Sequence, residues 1–249
     1  EILKEMPRDE LIISSKAGWR MWPGPYGDWG SRKYLIASCD QSLKRTGLDY
    51  FDIFYHHRPD PATPIEETLA ALDHLVRQGK ALYAGVSAYN GAQFADAVRV
   101  CDRMRLSPIT IHQPYYNLLG RWIEKDLLPV AADAGLGTIA FCPLAQGQLT
   151  ARYLKGIPKD SRAMSTGGFL KPKDIKEDVL KKVRALDTLA RARGQTLAQM
   201  VLAWTVRPGG VTSALIGASR PEQIVENVKA LEQPGFTAEE LSRIDASLQ

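Results

Sequence analysis

The chain has 249 residues, 45% of them hydrophobic and 24% charged, an ordinary globular composition whose length suits one α/β barrel or at most two small domains. A net charge of +4, spread over the whole chain, argues against nucleic-acid binding, and no apolar run is long enough to span a membrane. Cys39, Cys101 and Cys142 stand at wide, irregular spacing, which gives neither a metal pattern nor a disulfide framework and points to a reducing compartment, the cytoplasm.

The chain opens without methionine at Glu1-Ile2-Leu3-Lys4, a stretch with the look of a helix interior. Residues 11–16, Leu-Ile-Ile-Ser-Ser-Lys, form a short apolar run closed by Ala17-Gly18 and predict a buried strand. The following loop, 18–30, carries Trp19, Trp22, Tyr26 and Trp29 among glycines and prolines, so it must pack on something. A substrate-pocket wall is one expectation; a contact between copies of the chain is the other, because aromatics also favour interfaces. A helix over 31–46 leads to a second strand at 51–57, Phe-Asp-Ile-Phe-Tyr-His-His, closed by Arg58-Pro59. Strand, helix and strand make a β-α-β unit with parallel strands.

The alternation continues with a helix at 64–78 and strands at 81–87, 108–113 and 137–142, separated by helices at 91–103 and 124–134. Residues 147–173 are irregular, rich in Gly, Pro and basic side chains; a loop that long in a compact domain is usually functional. Helices at 175–193 and 196–206, a strand at 212–217 and helices at 221–231 and 238–248 complete the chain. Thr63-Pro64-Ile65-Glu66, Ser219-Arg220-Pro221-Glu222, Thr196 with Gln199 and Thr237 with Glu240 have the pattern of capping boxes.

Strands alternating with helices throughout predict one parallel α/β architecture without a linker or composition break, a single domain over 1–249. A doubly wound sheet would show a glycine-rich phosphate turn after an early strand. None occurs. A β/α barrel places its phosphate site after the last strands at a helix amino end. Gly217-Ala218-Ser219-Arg220-Pro221 fits that placement. The pattern yields six strands, whereas such a barrel has eight. The expectation is a barrel lacking its first two βα units.

In barrels of this kind, polar residues at the carboxyl ends of strands face the active-site mouth. Lys16 and the pair His56-His57 end neighbouring strands, which suggests proton chemistry. His56 and His57 point to opposite faces, and periodicity cannot say which faces the mouth. His112, ending another strand, fits a structural or a pocket-lining role equally, and His74 sits in a helix as a surface or packing residue.

Six segments in order resemble the aldo-keto reductases: Ser15-Lys16-Ala17-Gly18, Asp52-Ile53-Phe54-Tyr55-His56-His57-Arg58, Gly85-Val86-Ser87, Gln113-Pro114-Tyr115-Tyr116-Asn117-Leu118, Pro143-Leu144-Ala145-Gln146-Gly147 and Ile216-Gly217-Ala218-Ser219. Trp22-Pro23-Gly24-Pro25-Tyr26-Gly27 and Ile111-His112-Gln113-Pro114 look most like the bacterial L-glyceraldehyde 3-phosphate reductases, a branch related to the potassium-channel β-subunits. The resemblance implies an NADPH-dependent carbonyl reductase on a (β/α)8 barrel. A tyrosine would protonate the developing alkoxide, a lysine would lower that tyrosine's pKa, an aspartate would orient the lysine, and a histidine would bond the carbonyl oxygen. Lys16 matches the lysine and His57 the histidine. A phenol with an ordinary pKa of about 10 needs a cation beside it to act near neutrality. The family's tyrosine and aspartate have no counterpart before Lys16; this chain by itself is expected to be an inactive, N-terminally incomplete part of a catalytic parent.

The resemblance also implies the cofactor contacts. Ser87 and Gln113 match positions that bond the nicotinamide carboxamide, with Ala88 where many relatives have asparagine. Phe141 matches the stacking aromatic, and Cys142, Pro143 and Leu144 match the segment along the pyrophosphate. Arg152 and Arg162 match phosphate-holding cations. Gly217, Ser219, Arg220, Gln223, Glu226 and Asn227 lie at the amino end of the helix after the last strand, where the helix dipole and Arg220 favour a phosphate. The expected partner is a small aldehyde, with no nucleic acid, membrane or metal, and association into a homo-oligomer is compatible with the aromatic loop. A nucleotide-binding regulatory subunit is the competing reading; His57 favours the enzyme, because the channel branch commonly has asparagine there.

Overall fold

Short strands alternate with helices in the computed structural model, which describes residues 2–249. The helical start appears as a 3-10 turn over Ile2–Lys4, and Glu1 lies outside the described residues. The chain forms two units. One holds the described residues through Pro114 together with Lys125–Thr138, the other Tyr115–Glu124 with Ile139–Gln249.

In the first unit β1 (Ser14–Ala17), β2 (Phe51–His56), β3 (Ala81–Ser87), β4 (Ile109–Gln113) and the opening residues of β5 (Gly137–Phe141) pair in chain order, every pair parallel. The register sets Lys16 beside Tyr55, Tyr55 beside Gly85 and Ser87 beside Gln113. Side chains alternate along a strand, so these residues share one face. Ala17, Phe54, His56, Ala84, Val86 and His112 take the other face and are buried.

Helices α1 (Arg32–Thr46), α2 (Ile65–Arg77), α3 (Gly91–Met104) and α4 (Leu127–Asp133) complete this unit. Each longer helix buries a stripe at three- and four-residue spacing: Tyr34, Leu35, Ser38, Cys39, Ser42 and Leu43 on α1, and Phe94, Ala97, Val100 and Cys101 on α3. The Ser31 hydroxyl accepts the Tyr34 N–H at the start of α1, and Gly47, at φ 68°, ends the helix in the left-handed conformation that glycine adopts freely. Asn90 and Gln93 close a reciprocal capping box on α3 that the sequence reading passed over.

In the second unit the remainder of β5 pairs in parallel with β6 (Ser213–Leu215). It also holds α5 (Glu177–Ala192), the almost wholly buried α6 (Leu197–Thr205), α7 (Pro221–Val228) and α8 (Ala238–Ala246). The irregular stretch 147–173 has short 3-10 turns and a small core of its own, Tyr153, Ala163 and Leu170, packed by Ile175 and Leu180. Six parallel strands are present among the described residues, an α/β fold as expected.

Two expected capping boxes fail. The Thr63 hydroxyl donates to Asp60 Oδ2 at 2.6 Å, leaving α2 without a side-chain cap. At α7 the Ser219 N–H and hydroxyl both donate to Gln223 Oε1, at 2.7 and 3.2 Å, instead of capping the helix. The boxes at Thr196 and Thr237 form. The first strand starts three residues later than expected, because Asp52 Oδ2 takes the Ile13 N–H at 2.7 Å.

Candidate functional site

In the first unit Lys16 and His57 come together at the carboxyl ends of β1 and β2. The ladder carries one step past the strand, with the His57 N–H donating to the Ala17 carbonyl at 2.8 Å. Gly18 makes this approach possible. A Cβ there would lie 2.8 Å from the His57 Cβ, and φ is +153°, so both space and conformation demand glycine. Lys16 is half-buried, and burial lowers its pKa from the ordinary lysine value. His57 is pushed down to about 4, first by burial and then by the charges of Lys16 and Arg58. At neutral pH it is therefore an uncharged imidazole, able to donate one hydrogen bond.

Tyr55 was missed in the sequence. Its ring lies 5.7 Å from Lys16 Nζ, on the face that Lys16 occupies. It is 1% exposed, and burial raises its pKa to about 12 against the opposing effect of the Gln113 side chain. A phenol thus stands beside Lys16, from a strand after it rather than before it. The signal was available, since Tyr55 and His57 are two apart on a strand and so share a face. Gly85 leaves room for the ring, because a Cβ there would sit 2.6 Å from it.

His56 turns the other way. It is fully buried, with Nδ1 2.8 Å from the Tyr89 hydroxyl. His112 is equally buried, its Nε2–H donating to the Tyr89 carbonyl at 3.0 Å and its ring edge-on to Phe94, which makes it a packing residue. His74 is half-buried on α2. Ser87 and Gln113 are buried neighbours, the Ser87 hydroxyl donating to the Gln113 carbonyl at 2.7 Å, and Ala88 follows at φ 58°.

The aromatic loop packs back on these strand ends. The Tyr34 hydroxyl accepts the Gly18 N–H at 3.0 Å and donates to the Trp19 carbonyl. The Trp19 ring stands edge-on to His57, 6.1 Å between centroids and 83° between planes, and Trp22 lies against Tyr34 at 5.4 Å.

In the second unit Phe141 ends β5 with the Tyr115 ring against it, 5.5 Å away. Cys142, Pro143 and Leu144 follow in a backbone held in unusual conformations, with Cys142 at φ 54°, Ala145 at 46° and Gln146 at 58°. Non-glycine residues in the left-handed region are uncommon and persist where surroundings fix them. Asn117 does so here, donating from Nδ2 to the Cys142 carbonyl at 3.0 Å, and Leu144 packs on Leu202, Ala203 and Ala230. Asn117 is a supporting residue that its motif contained but that was given no role.

The basic residues divide. Arg152 is tied to Asp160, 2.9 Å to the carboxylate and 3.1 Å to the carbonyl. Arg162 is exposed, close enough to Cys142 for its charge to lower that thiol's pKa against the larger effect of burial. A Cβ on Gly217 would lie 3.3 Å from the Arg162 guanidinium, so the missing side chain lets the two approach. Ser219 and Arg220 are exposed beside α7, and Gln223 closes back on Ser219. Glu226 faces α6 instead, accepting from Gln199 Nε2 at 3.0 Å, and Asn227 is buried. No group of side chains suited to holding a metal ion occurs among the described residues, and none of their helices is long and apolar enough to cross a membrane.

The family model described as "Aldo/keto reductase family" matches residues 1–249. L-glyceraldehyde 3-phosphate reductase of Escherichia coli (strain K12) is 54% identical over 242 residues, covering 96% of this chain and 70% of that protein; the O157:H7 protein of the same name matches equally. A probable voltage-gated potassium channel subunit beta of Arabidopsis thaliana is 39% identical over 246 residues, covering 97% of this chain and 75% of that protein. Both branches suggested by the motifs are thus among its relatives. With a family match along its whole length and a relative more than half identical, this chain belongs to the aldo/keto reductase family, a family of oxidoreductases.

Proposed function

We propose that the protein reduces small aldehydes to alcohols with NADPH, on the family's (β/α)8 barrel, and that its substrates include phosphorylated aldehydes of the glyceraldehyde 3-phosphate kind. The observation that carries this reading is the meeting of Lys16 and His57 at adjacent strand ends, with His57 uncharged at neutral pH. The substrate class rests on the name of the E. coli relative.

The residues suit the cofactor. The close approach of Gly217 and Arg162 leaves an exposed guanidinium beside bare backbone, and no carboxylate forms an ion pair with Arg162 or Arg220 among the described residues. Such groups fit phosphate oxygens. In this reading Arg162, Ser219, Arg220 and Gln223 hold phosphate, Cys142, Pro143 and Leu144 line the pyrophosphate, Phe141 stacks, and Ser87 and Gln113 bond the carboxamide. Arg152, Glu226 and Asn227 support that segment through their own bonds and packing. When bound, the reduced nicotinamide supplies hydride.

His57 donates a hydrogen bond to the carbonyl oxygen, which gains negative charge as the bond is reduced. A donor fixed in advance on a strand end stabilises that charge without reorganising. Lys16 supplies a half-buried positive charge that would lower the pKa of the tyrosine which, in the family's mechanism, gives its proton to the same oxygen; that tyrosine has no counterpart before Lys16. Tyr55 is too enclosed to meet the substrate. It fills the space beside Lys16.

The test follows NADPH oxidation with glyceraldehyde 3-phosphate and unphosphorylated aldehydes, in a protein of its relatives' full length that carries this chain, since the chain by itself is expected to be inactive. Lys16→Met is expected to lower kcat about 10²–10⁴-fold with NADPH affinity kept, and Tyr55→Phe to retain most turnover. Undiminished turnover in Lys16→Met removes the lysine from the mechanism, and a collapse in Tyr55→Phe makes Tyr55 the proton donor. Tight NADPH binding with no turnover on any aldehyde favours the competing reading of a nucleotide-binding regulatory subunit; the Arabidopsis relative is named a probable channel subunit beta.

A further inference from the structure

Directly after His57 comes Arg58, whose charge helps keep His57 uncharged but which the proposed chemistry gives no contact with substrate. Its guanidinium lies between two indoles, 3.8 Å from the Trp19 ring centroid and 3.5 Å from that of Trp29. Its edge is occupied as well. Nε donates to the Gly18 carbonyl at 2.7 Å and an Nη2 donates to Asp28 Oδ1 at 3.0 Å. Both ends of the aromatic loop, Gly18-Trp19 and Asp28-Trp29, therefore converge on one side chain. The Trp19 held in this way is the ring that stands edge-on to His57.

A planar cation that stacks on both faces and bonds along its edge is a task for arginine. The lysine ammonium is a compact point charge that cannot fill two stacking faces and a fork together. Gly18 strengthens the coupling, because its tight fit against His57 Cβ leaves no slack between the loop's first residue and the histidine. Movement of Trp19 is thus felt beside His57, while Lys16 is left in place on β1.

We propose that Arg58 is a positioning residue, which pins the Trp19 and Trp29 wall beside His57 and so sets how tightly and in what orientation a small aldehyde is held. This rests on the reading of His57 as the carbonyl donor. The wall bounds the aldehyde and leaves the residues assigned to NADPH untouched, so the effect of losing it falls on aldehyde binding. The indoles are partly exposed even when stacked, Trp19 at 56%, so they present apolar surface to a ligand as well as to Arg58.

The experiment compares the unmodified protein with Arg58→Lys, Arg58→Ala and Asp28→Asn. It measures aldehyde KM and kcat, NADPH Kd, thermal melting and acrylamide quenching of tryptophan emission. Arg58→Lys, which keeps the charge, is expected to raise aldehyde KM tenfold or more, to change kcat less than fivefold, to leave NADPH Kd within twofold, and to increase quenching. Asp28→Asn, which keeps the stack, is expected to raise KM two- to threefold. Should Arg58→Ala fail to fold, these two milder variants carry the comparison. A lowered melting temperature with unchanged KM in Arg58→Lys makes the clamp merely structural and overturns the inference alone. Equal losses of NADPH and aldehyde affinity overturn it too. All variants are made in a protein of its relatives' full length that carries this chain, and no aldehyde turnover by that unmodified protein removes both the inference and the function on which it rests.

Discussion

Acid should destabilise this protein between pH 6.5 and 4, and the cause is two histidines behind the sheet. His56 and His112 are fully buried and meet at Tyr89, one at its hydroxyl and the other at its carbonyl. Burial pushes each down to about 4 from the ordinary 6.5. The folded state therefore holds fewer protons than the unfolded one in this window. Their contribution is fully present above pH 6.5 and is lost as the pH falls toward 4. With those two values, each histidine costs about 2 kcal/mol at pH 5 relative to pH 7.5, or about 4 kcal/mol for the pair. Carboxylates add little there, because their unfolded values lie near 4. His57 acts in the same direction, weakened by its partial exposure to solvent.

Urea unfolding at pH 7.5, 6.0 and 5.0 measures this directly. The unmodified protein should lose about 4 kcal/mol or more across the range. His112→Gln should begin less stable at pH 7.5, having lost a packed ring and a bond, yet lose about 2 kcal/mol less on acidification. A His112→Gln variant with the parent's full pH dependence would refute the assignment, as would a parent whose stability is flat from pH 7.5 to 5.0.

His57→Ala should slow carbonyl reduction by roughly a hundredfold or more, the usual cost of one such donor, in steady-state assays with NADPH saturating. An undiminished rate would show that the carbonyl oxygen finds its donor elsewhere. The protein should prefer NADPH to NADH, and Arg162→Ala should narrow that preference by weakening NADPH alone. Cofactor titration decides it, and equal affinities unaffected by the substitution would end the assignment of Arg162.

Local chemistry was legible in the sequence. Strand and helix alternated where apolar runs and amphipathic stripes said they would, because both patterns arise within a few residues of chain. The capping boxes at Thr196 and Thr237 formed for the same reason. Those at Thr63 and Ser219 did not: the hydroxyls donate to Asp60 and Gln223, and neither helix start gains a side-chain cap. Lys16 and His57 were readable as strand-end residues, with His57 chosen over His56 only by resemblance to relatives. Tertiary structure presses Gly18 against His57 and encloses His56 with Tyr89, an arrangement periodicity could not give. It alone set Tyr55 beside Lys16, because the partner of a strand residue is fixed by register between segments about forty residues apart. It alone closed Trp19 and Trp29 on Arg58. No local pattern encodes that contact, which requires two ends of a loop and the end of a separate strand to reach one guanidinium.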